Sequence, residues 1–103
     1  MKLVGRDKLT KFAKRHASAR SAINAWVAEV ERATWQTPTD IRERYSSASF
    51  LDDNVVVFNL KGNDYRLKVR VMLQSGVVVV LQVETHAEYD KWAEKGESCD
   101  QSD

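Results

Sequence analysis

The spacing of hydrophobic residues changes once along the chain, from a helical period in the first half to strand-like runs in the second. The first set that recurs at intervals of three and four residues is Leu9, Phe12, Ala13 and His16. This spacing predicts one face of an amphipathic helix, and the same spacing within residues 19–34 predicts a second helix. Helices in one half of a chain and strands in the other are typical of an α+β domain.

A short third helix is predicted from the residues that would begin it. Thr37 offers a hydroxyl at the N-cap, Pro38 suits the first helical position, and Asp40 places a carboxylate in the first turn. The helix is expected to run to Tyr45, because residues 46–54 break the helical pattern.

Three apolar or alternating runs predict strands at residues 55–60, 65–73 and 77–83. The connections between them are short and contain glycine, so we expect hairpin turns and an antiparallel meander. Residues 77–81 are five consecutive aliphatic residues, which predicts a central strand covered on both faces. Residues 2–4 are a further candidate, for an edge strand.

Length and composition restrict the classes of function. A chain of 103 residues that is 43% hydrophobic, with one proline and four glycines, is expected to fold as one domain. Its single cysteine, Cys99, excludes a disulfide framework and a thiolate zinc cluster. Charges interrupt every apolar stretch, so neither a signal peptide nor a membrane span is predicted. We therefore expect a cytoplasmic protein that uses no membrane, metal ion or cofactor.

A formal net charge of +1 conceals opposite local charges. Residues 65–71 alternate strictly, with apolar side chains on one face and a basic row, Arg66, Lys68 and Arg70, on the other. Neighbouring members of such a row stand about 7 Å apart, close to the spacing of successive phosphates in a nucleic acid. Residues 94–103, by contrast, are acidic overall. The basic row indicates phosphate binding, although a solvated sheet face gives the same pattern.

A group of polar side chains follows the last predicted strand. Thr85 and Glu88 have the spacing of a capping box, so a C-terminal helix is predicted to begin at His86. Tyr89 would lie on the same helix face, at the edge of the sheet that carries the basic row. The N-terminus of a helix favours neutral imidazole, which can accept a proton. The alternative interpretation is that His86 is a polar surface residue and that Tyr89 packs against the sheet.

This combination of residues matches the needs of RNA strand scission. The reaction requires a group that removes the 2′-hydroxyl proton, cations that hold the charge developing on the phosphate, and a donor for the leaving 5′-oxygen. His86 or Tyr89 could exchange protons, while Arg66, with Lys61 or Arg70, could hold the phosphoryl oxygens. The chemistry itself requires no metal.

Residues 55–92, with the earlier segments DKL and ATWQTP, resemble the HigB group of type II toxins within the RelE-like superfamily. The pieces FNLKGNDYRL and THAEYDKW carry most of the likeness. The resemblance implies one RelE-like domain over residues 1–95, with N-terminal helices packed on a small antiparallel β-sheet and a C-terminal helix. Residues 96–103 lie outside it and are expected to form a polar, disordered tail.

The resemblance also implies an activity and partners. Toxins of this group are endoribonucleases that cleave messenger RNA, typically on the ribosome, and so inhibit translation; a helix-turn-helix antitoxin of the HigA type holds them silent. By position, Arg66 matches the arginine that faces the scissile phosphate, and Lys61 matches a lysine of the preceding turn. His86 and Tyr89 stand where these toxins place C-terminal catalytic residues. Three further residues are assigned to RNA binding: Lys68, Arg70 and Lys91.

One departure from the superfamily leaves the general base open. The RelE archetype carries extra lysines where this chain has Ser46, Ser47, Asp52 and Asp53, which allows His86 to have taken that role. A module of the same fold that binds RNA or protein without cleaving is therefore the competing hypothesis.

Overall fold

Residues 1–61 and 64–85 are the part of the chain that the computed structural model describes. The helices are α1 (Arg6–Arg15), α2 (Arg20–Arg32) and α3 (Pro38–Arg44), with one 3-10 turn at Ala17–Ala19. The strands are β1 (Lys2–Val4), β2 (Ser49–Phe50), β3 (Val55–Leu60), β4 (Tyr65–Met72) and β5 (Val77–Thr85). The predicted α+β class and the three predicted N-terminal helices are confirmed. The predicted C-terminal helix lies outside the described residues.

The five strands form one mixed sheet in the order β1-β5-β4-β3-β2. The strands from β2 to β5 pair antiparallel, as the short connections predict. The expectation of a wholly antiparallel sheet was wrong for β1, which pairs parallel with β5 and places Leu3 opposite Val78. The reason is the long connection between these two strands, since only a tight hairpin forces antiparallel pairing.

Three further details of the sheet differ from the prediction. The short strand β2 occurs within residues that the sequence pattern assigned to a loop. The middle strand is β4, and β5 lies between β4 and β1. The aliphatic run of β5 is also buried on one face only: Val78 and Val80 are buried, whereas Val77 and Val79 are half-buried. Val79 is opposite Arg70, whose long aliphatic stem suits contact with apolar surface.

The hydrophobic core lies between the helices and one face of the sheet. Fully buried residues come from both layers: Leu9, Phe12, Trp26 and Val30 from the helices, and Phe58, Leu67, Val69, Val78 and Val80 from the strands. Burying each such side chain contributes about 1.5–3 kcal/mol. The helices therefore cover one face of the sheet, and the basic row of β4 lies on the opposite face.

An aromatic cluster occupies one end of this core. It consists of Phe58 and three rings around it, with centroids 5.5 Å (Trp26), 6.3 Å (Trp35) and 5.0 Å (Tyr45) from that of Phe58. Two of these pairs are edge-to-face and one is stacked, which are the arrangements that aromatic rings prefer. The cluster joins α2 and the segments on either side of α3 to β3.

The pairing of β4 with β5 is interrupted by a β-bulge. Lys68 is opposite Gln82, whereas the next residue, Val69, is opposite Val80. Leu81 is therefore an extra residue in β5 without a counterpart in β4. From this point toward Thr85, every residue of β5 is displaced by one position relative to a regular hairpin.

The predicted start of α3 is confirmed as a complete capping box. The backbone N–H of Asp40 donates to the hydroxyl of Thr37 at 3.2 Å, and the Asp40 carboxylate accepts from the backbone N–H groups of Gln36 and Thr37. These bonds, led by that from Gln36, lower the pKa of Asp40. Because the pKa is lowered in the folded state, this contribution to stability is present above the ordinary range of the carboxyl and is lost in acid.

Replacing Thr37 with alanine is expected to lower the free energy of unfolding by about 1 kcal/mol, since an N-cap hydroxyl would be lost. Urea unfolding of the wild type and of Thr37→Ala measures the effect. Thr39→Ala is the matched control, because Thr39 is exposed in the same helix and does not occupy the cap position. Equal losses in both variants would contradict a capping role.

Candidate functional site

The basic row lies on the face of the sheet that the three described helices leave uncovered. In β4, the side chains on the helix-facing side are buried: Tyr65, Leu67, Val69 and Val71. On the other side, Arg66 and Lys68 are half-buried and Arg70 is exposed. The alternation predicted from the sequence is therefore confirmed, and the three cations share one face.

Arg66 lies between two polar residues of the neighbouring strands. Asn59 of β3 is opposite it on one side, and Glu84 of β5 is opposite it on the other. A hairpin without the bulge would have placed Val83 opposite Arg66 instead, so that an apolar side chain and not a carboxylate would neighbour the guanidinium. Opposite charges directly across an antiparallel pair attract each other, so Glu84 favours one placement of the Arg66 guanidinium.

The neighbour on the β3 side is itself fixed. The side-chain amide of Asn59 donates to the backbone carbonyl of Ser47 at 3.0 Å, which ties the end of β3 to the turn before β2. The row Asn59–Arg66–Glu84 is therefore held by the backbone of three strands, and the side-chain hydrogen bond of Asn59 adds to this. Such fixed surroundings suit a cation that must meet a substrate in one orientation.

Arg70, at the other end of the basic row, has a structural contact of its own. Its Nε donates to the backbone carbonyl of Asp53 at 3.2 Å. Asp53 and Asn54 both have positive φ angles, of 61° and 63°, in the turn between β2 and β3. This hydrogen bond holds that turn and uses one of the five N–H donors of the guanidinium.

Lys61 and the end of β5 lie at the same end of the sheet as Arg66. Lys61 is exposed in the turn after β3, and its carbonyl accepts from the backbone N–H of Asp64 at 3.1 Å. Tyr65, next to Arg66 in β4, is opposite Thr85, the last described residue. The structure thus brings Lys61, Arg66 and the end of β5 together. Three predicted site residues, His86, Tyr89 and Lys91, lie outside the described residues, and their roles stay predictions.

The beginning of β4 is anchored from the helix side. The hydroxyl groups of Tyr65 and Ser18 are 2.5 Å apart, within hydrogen-bond distance. The Tyr65 ring also meets the rings of Phe12 and His16 edge-on, with centroids 5.6 Å and 6.1 Å away. His16 therefore has the structural position that its apolar helix face predicts. These contacts fix the backbone from which Arg66 projects on the other face.

Sequence reasoning did not identify Glu84 or Ser18. Glu84 is a neighbour of Arg66 because of the bulge, and no pattern of residues in the sequence predicts that bulge. Ser18 is a polar residue between two predicted helices, and nothing in the sequence distinguishes it from other surface serines. Within residues 1–61 and 64–85, no three His, Cys, Asp or Glu side chains converge as metal ligands would. No described helix has the length and hydropathy that a membrane span needs.

Comparison with known proteins identifies a family for most of the chain. The model of the family HigB_toxin, described as the RelE-like toxic component of a toxin-antitoxin system, matches residues 19–92. The match covers more than two thirds of the chain, from the turn before α2 through the whole of β5 and the predicted C-terminal site residues. No curated protein matches the chain. The helix α1 and the strand β1 lie outside the matched residues.

Proposed function

Because the chain belongs to the HigB family of RelE-like toxins of toxin-antitoxin systems, we propose that it is an endoribonuclease that cleaves messenger RNA. Membership in the family implies an antitoxin as partner. The observation that carries the proposal is the placement of Arg66 between Asn59 and Glu84 on the sheet face opposite to the three described helices, at the end of the sheet shared with Lys61. The chain continues from that end directly into His86.

In the proposed reaction, the 2′-hydroxyl of the RNA attacks the adjacent phosphorus. The new P–O2′ bond forms as the P–O5′ bond breaks, which leaves a 2′,3′-cyclic phosphate and a 5′-hydroxyl. His86 and Tyr89 exchange the two protons, one taken from the 2′-oxygen and one given to the 5′-oxygen. The mechanism uses no metal ion.

The basic residues have two different roles, which depend on their positions. The planar guanidinium of Arg66 offers paired donors to two phosphoryl oxygens, and it stabilises the charge that develops on them together with Lys61. Lys68 and Arg70 continue along β4 and hold neighbouring phosphates, and Lys91 adds to this binding. Spacing of about 7 Å along one strand face matches the path of a nucleic acid backbone.

A net charge of +1 favours RNA that is presented by the ribosome over RNA free in solution. Strong binding of free RNA depends on many phosphate contacts and so on a large positive field. We therefore propose that the chain acts in the cytoplasm, on messenger RNA held by the ribosome, and that an antitoxin of the HigA helix-turn-helix type restrains it.

The test is to produce the wild-type chain in bacteria without its antitoxin and to follow growth and the positions of new RNA ends. The inactive control is a double variant, Arg66→Ala with His86→Ala. Growth arrest with new 5′-hydroxyl ends is expected for the wild type alone, and cleavage by the purified chain with ribosomes is expected to persist in EDTA. Arrest without new ends would contradict cleavage and would favour a non-cleaving module that binds RNA or protein.

A further inference from the structure

A second concentration of positive charge lies on α1, away from the basic row. Five of the ten residues of this helix are basic and one is acidic: Arg6, Lys8, Lys11, Lys14 and Arg15 against Asp7. Arg20 begins α2 and adds to this charge. The proposed RNA site uses none of these residues, because they lie on the helix layer and the basic row lies on the opposite face of the sheet.

A groove of about 290 Å³ runs between α1 and α2 beside this charge. Its apolar lining is aliphatic and consists of Leu9, Ile23 and Val27, which are at most 8% exposed, and of Ala13, which is half-buried. Lys14 stands on the α1 side and Arg20 on the α2 side. The groove therefore combines an aliphatic floor with a positively charged rim. Its volume is near the lower end of the roughly 300–1,000 Å³ typical of small-molecule pockets and has room for a few side chains of another polypeptide.

Two cations of the rim have no carboxylate partner within the part of the chain that the structure describes. Arg6 also lines the groove, but its guanidinium pairs with the Glu31 carboxylate at 3.0 Å. Within residues 1–61 and 64–85, Lys14 and Arg20 form no ion pair, and no carboxylate lines the groove. An incoming group that carries negative charge would find two cations on opposite sides of an apolar floor.

We propose that this groove is the docking surface for an acidic, amphipathic segment of the antitoxin. Leucine-like side chains spaced at three and four residues would cover the aliphatic floor, while carboxylates on either side would pair with Lys14 and Arg20. A nucleic acid fits less well, because the floor offers no aromatic ring on which a base could stack. The proposal rests on the groove and on family membership, and it does not depend on RNA cleavage.

The location of the groove also defines what such docking does. The groove lies in the helix layer, and Arg66 lies on the other face of the sheet. A segment bound there would hold the antitoxin on the toxin without itself touching the basic row. Docking of the antitoxin in the groove is therefore separate from any covering of the proposed RNA site. A variant can lose this docking and still cleave RNA.

The experiment compares two charge-reversed variants of the full chain. The groove variant carries Lys14→Glu and Arg20→Glu, and the control carries Lys8→Glu and Lys11→Glu, two exposed lysines of α1 that do not line the groove. The first probe is a synthetic helical peptide with leucine at i, i+3, i+4 and i+7 and glutamate elsewhere. The second is the same peptide with lysine in place of glutamate, the third a single-stranded RNA, and the fourth the purified antitoxin.

The groove variant is expected to bind the acidic peptide and the antitoxin about tenfold or more weakly, whereas the control changes either affinity less than about threefold. The lysine peptide is expected to bind the wild type weakly and the groove variant, whose rim is then acidic, more tightly than the wild type. Antitoxin affinity that is unchanged in the groove variant, or reduced equally in both variants, would overturn the proposal. So would loss of RNA binding in the groove variant with unchanged peptide binding, since that outcome would assign the groove to RNA.

Two further measurements distinguish the docking proposal from the proposed RNA cleavage. Thermal unfolding followed by circular dichroism is expected to be alike in all variants, because the four substituted side chains are exposed. A neutral pair, Lys14→Gln with Arg20→Gln, is expected to give an intermediate loss of affinity if charge pairing is responsible. A wild-type chain that failed to cleave RNA would contradict the proposed function but would leave these affinities, and the docking proposal, intact.

Discussion

Cleavage of RNA by Arg66→Ala is expected to be about 10²- to 10³-fold slower than by the wild type, while the fold is preserved. Arg66 is half-buried on the face of β4 that points away from the three described helices, between Asn59 and Glu84. Of the three residues of the basic row, Arg66 alone is opposite a carboxylate residue of β5, namely Glu84. This neighbour favours one orientation of the Arg66 guanidinium. Loss of a preorganised donor at a developing phosphorane charge affects the rate more than the binding of RNA.

The measurement is single-turnover cleavage of a defined messenger RNA with ribosomes and saturating toxin. Arg66→Lys is expected to recover only part of the rate, because lysine retains the charge but lacks the planar pair of donors. Arg32→Ala is the matched control, since Arg32 is an exposed arginine at the end of α2. A rate for Arg66→Ala within threefold of that of Arg32→Ala would remove Arg66 from the catalytic site.

Replacing Phe58 with alanine is expected to lower the free energy of unfolding by about 3–5 kcal/mol. Phe58 is fully buried and contacts the rings of Trp26, Trp35 and Tyr45, so truncation removes the centre of the aromatic cluster. A domain of this size is stabilised by roughly 5–15 kcal/mol in total. The variant should therefore be close to unfolding near physiological temperature.

Urea unfolding followed by tryptophan fluorescence measures this loss, because two of the three surrounding rings are indoles. Phe50→Ala is the control: Phe50 is half-buried at the edge strand β2, with the Arg42 guanidinium 4.7 Å from its ring centroid. Its loss is expected to be well below that of Phe58→Ala. Equal losses would mean that the aromatic cluster contributes no more than an ordinary edge contact.

The helices and the three long strands were predictable because local patterns define them. The recurrence of Leu9 and Phe12, and of Ile23 and Trp26, is a helical period that buries one face, and Thr37 is the N-cap that the sequence predicts. Pairing between distant segments was less predictable. The direction of β1 depends on a long connection and not on its own residues, and β2 has two residues, too few for a periodic signal.

The candidate site was predictable in part for the same reason. The alternation of β4 places Arg66, Lys68 and Arg70 on one face whatever the neighbouring strands do. The identity of their neighbours depends on register, and the bulge at Leu81 changes it, so Glu84 could not be located from the sequence. The roles of His86 and Tyr89 rest on the family resemblance and on the predicted C-terminal helix.

The parallel pairing of β1 with β5 has a consequence for the chain during its synthesis. The first strand leaves the ribosome early, but its partner, Val77–Thr85, is the last described strand to be made. Until β5 emerges, β1 is unpaired, the buried Val78 and Val80 are missing from the core, and Glu84 cannot lie opposite Arg66. A nascent chain therefore completes the candidate site only after β5 has been made, and a truncated product that stops before β5 cannot assemble it.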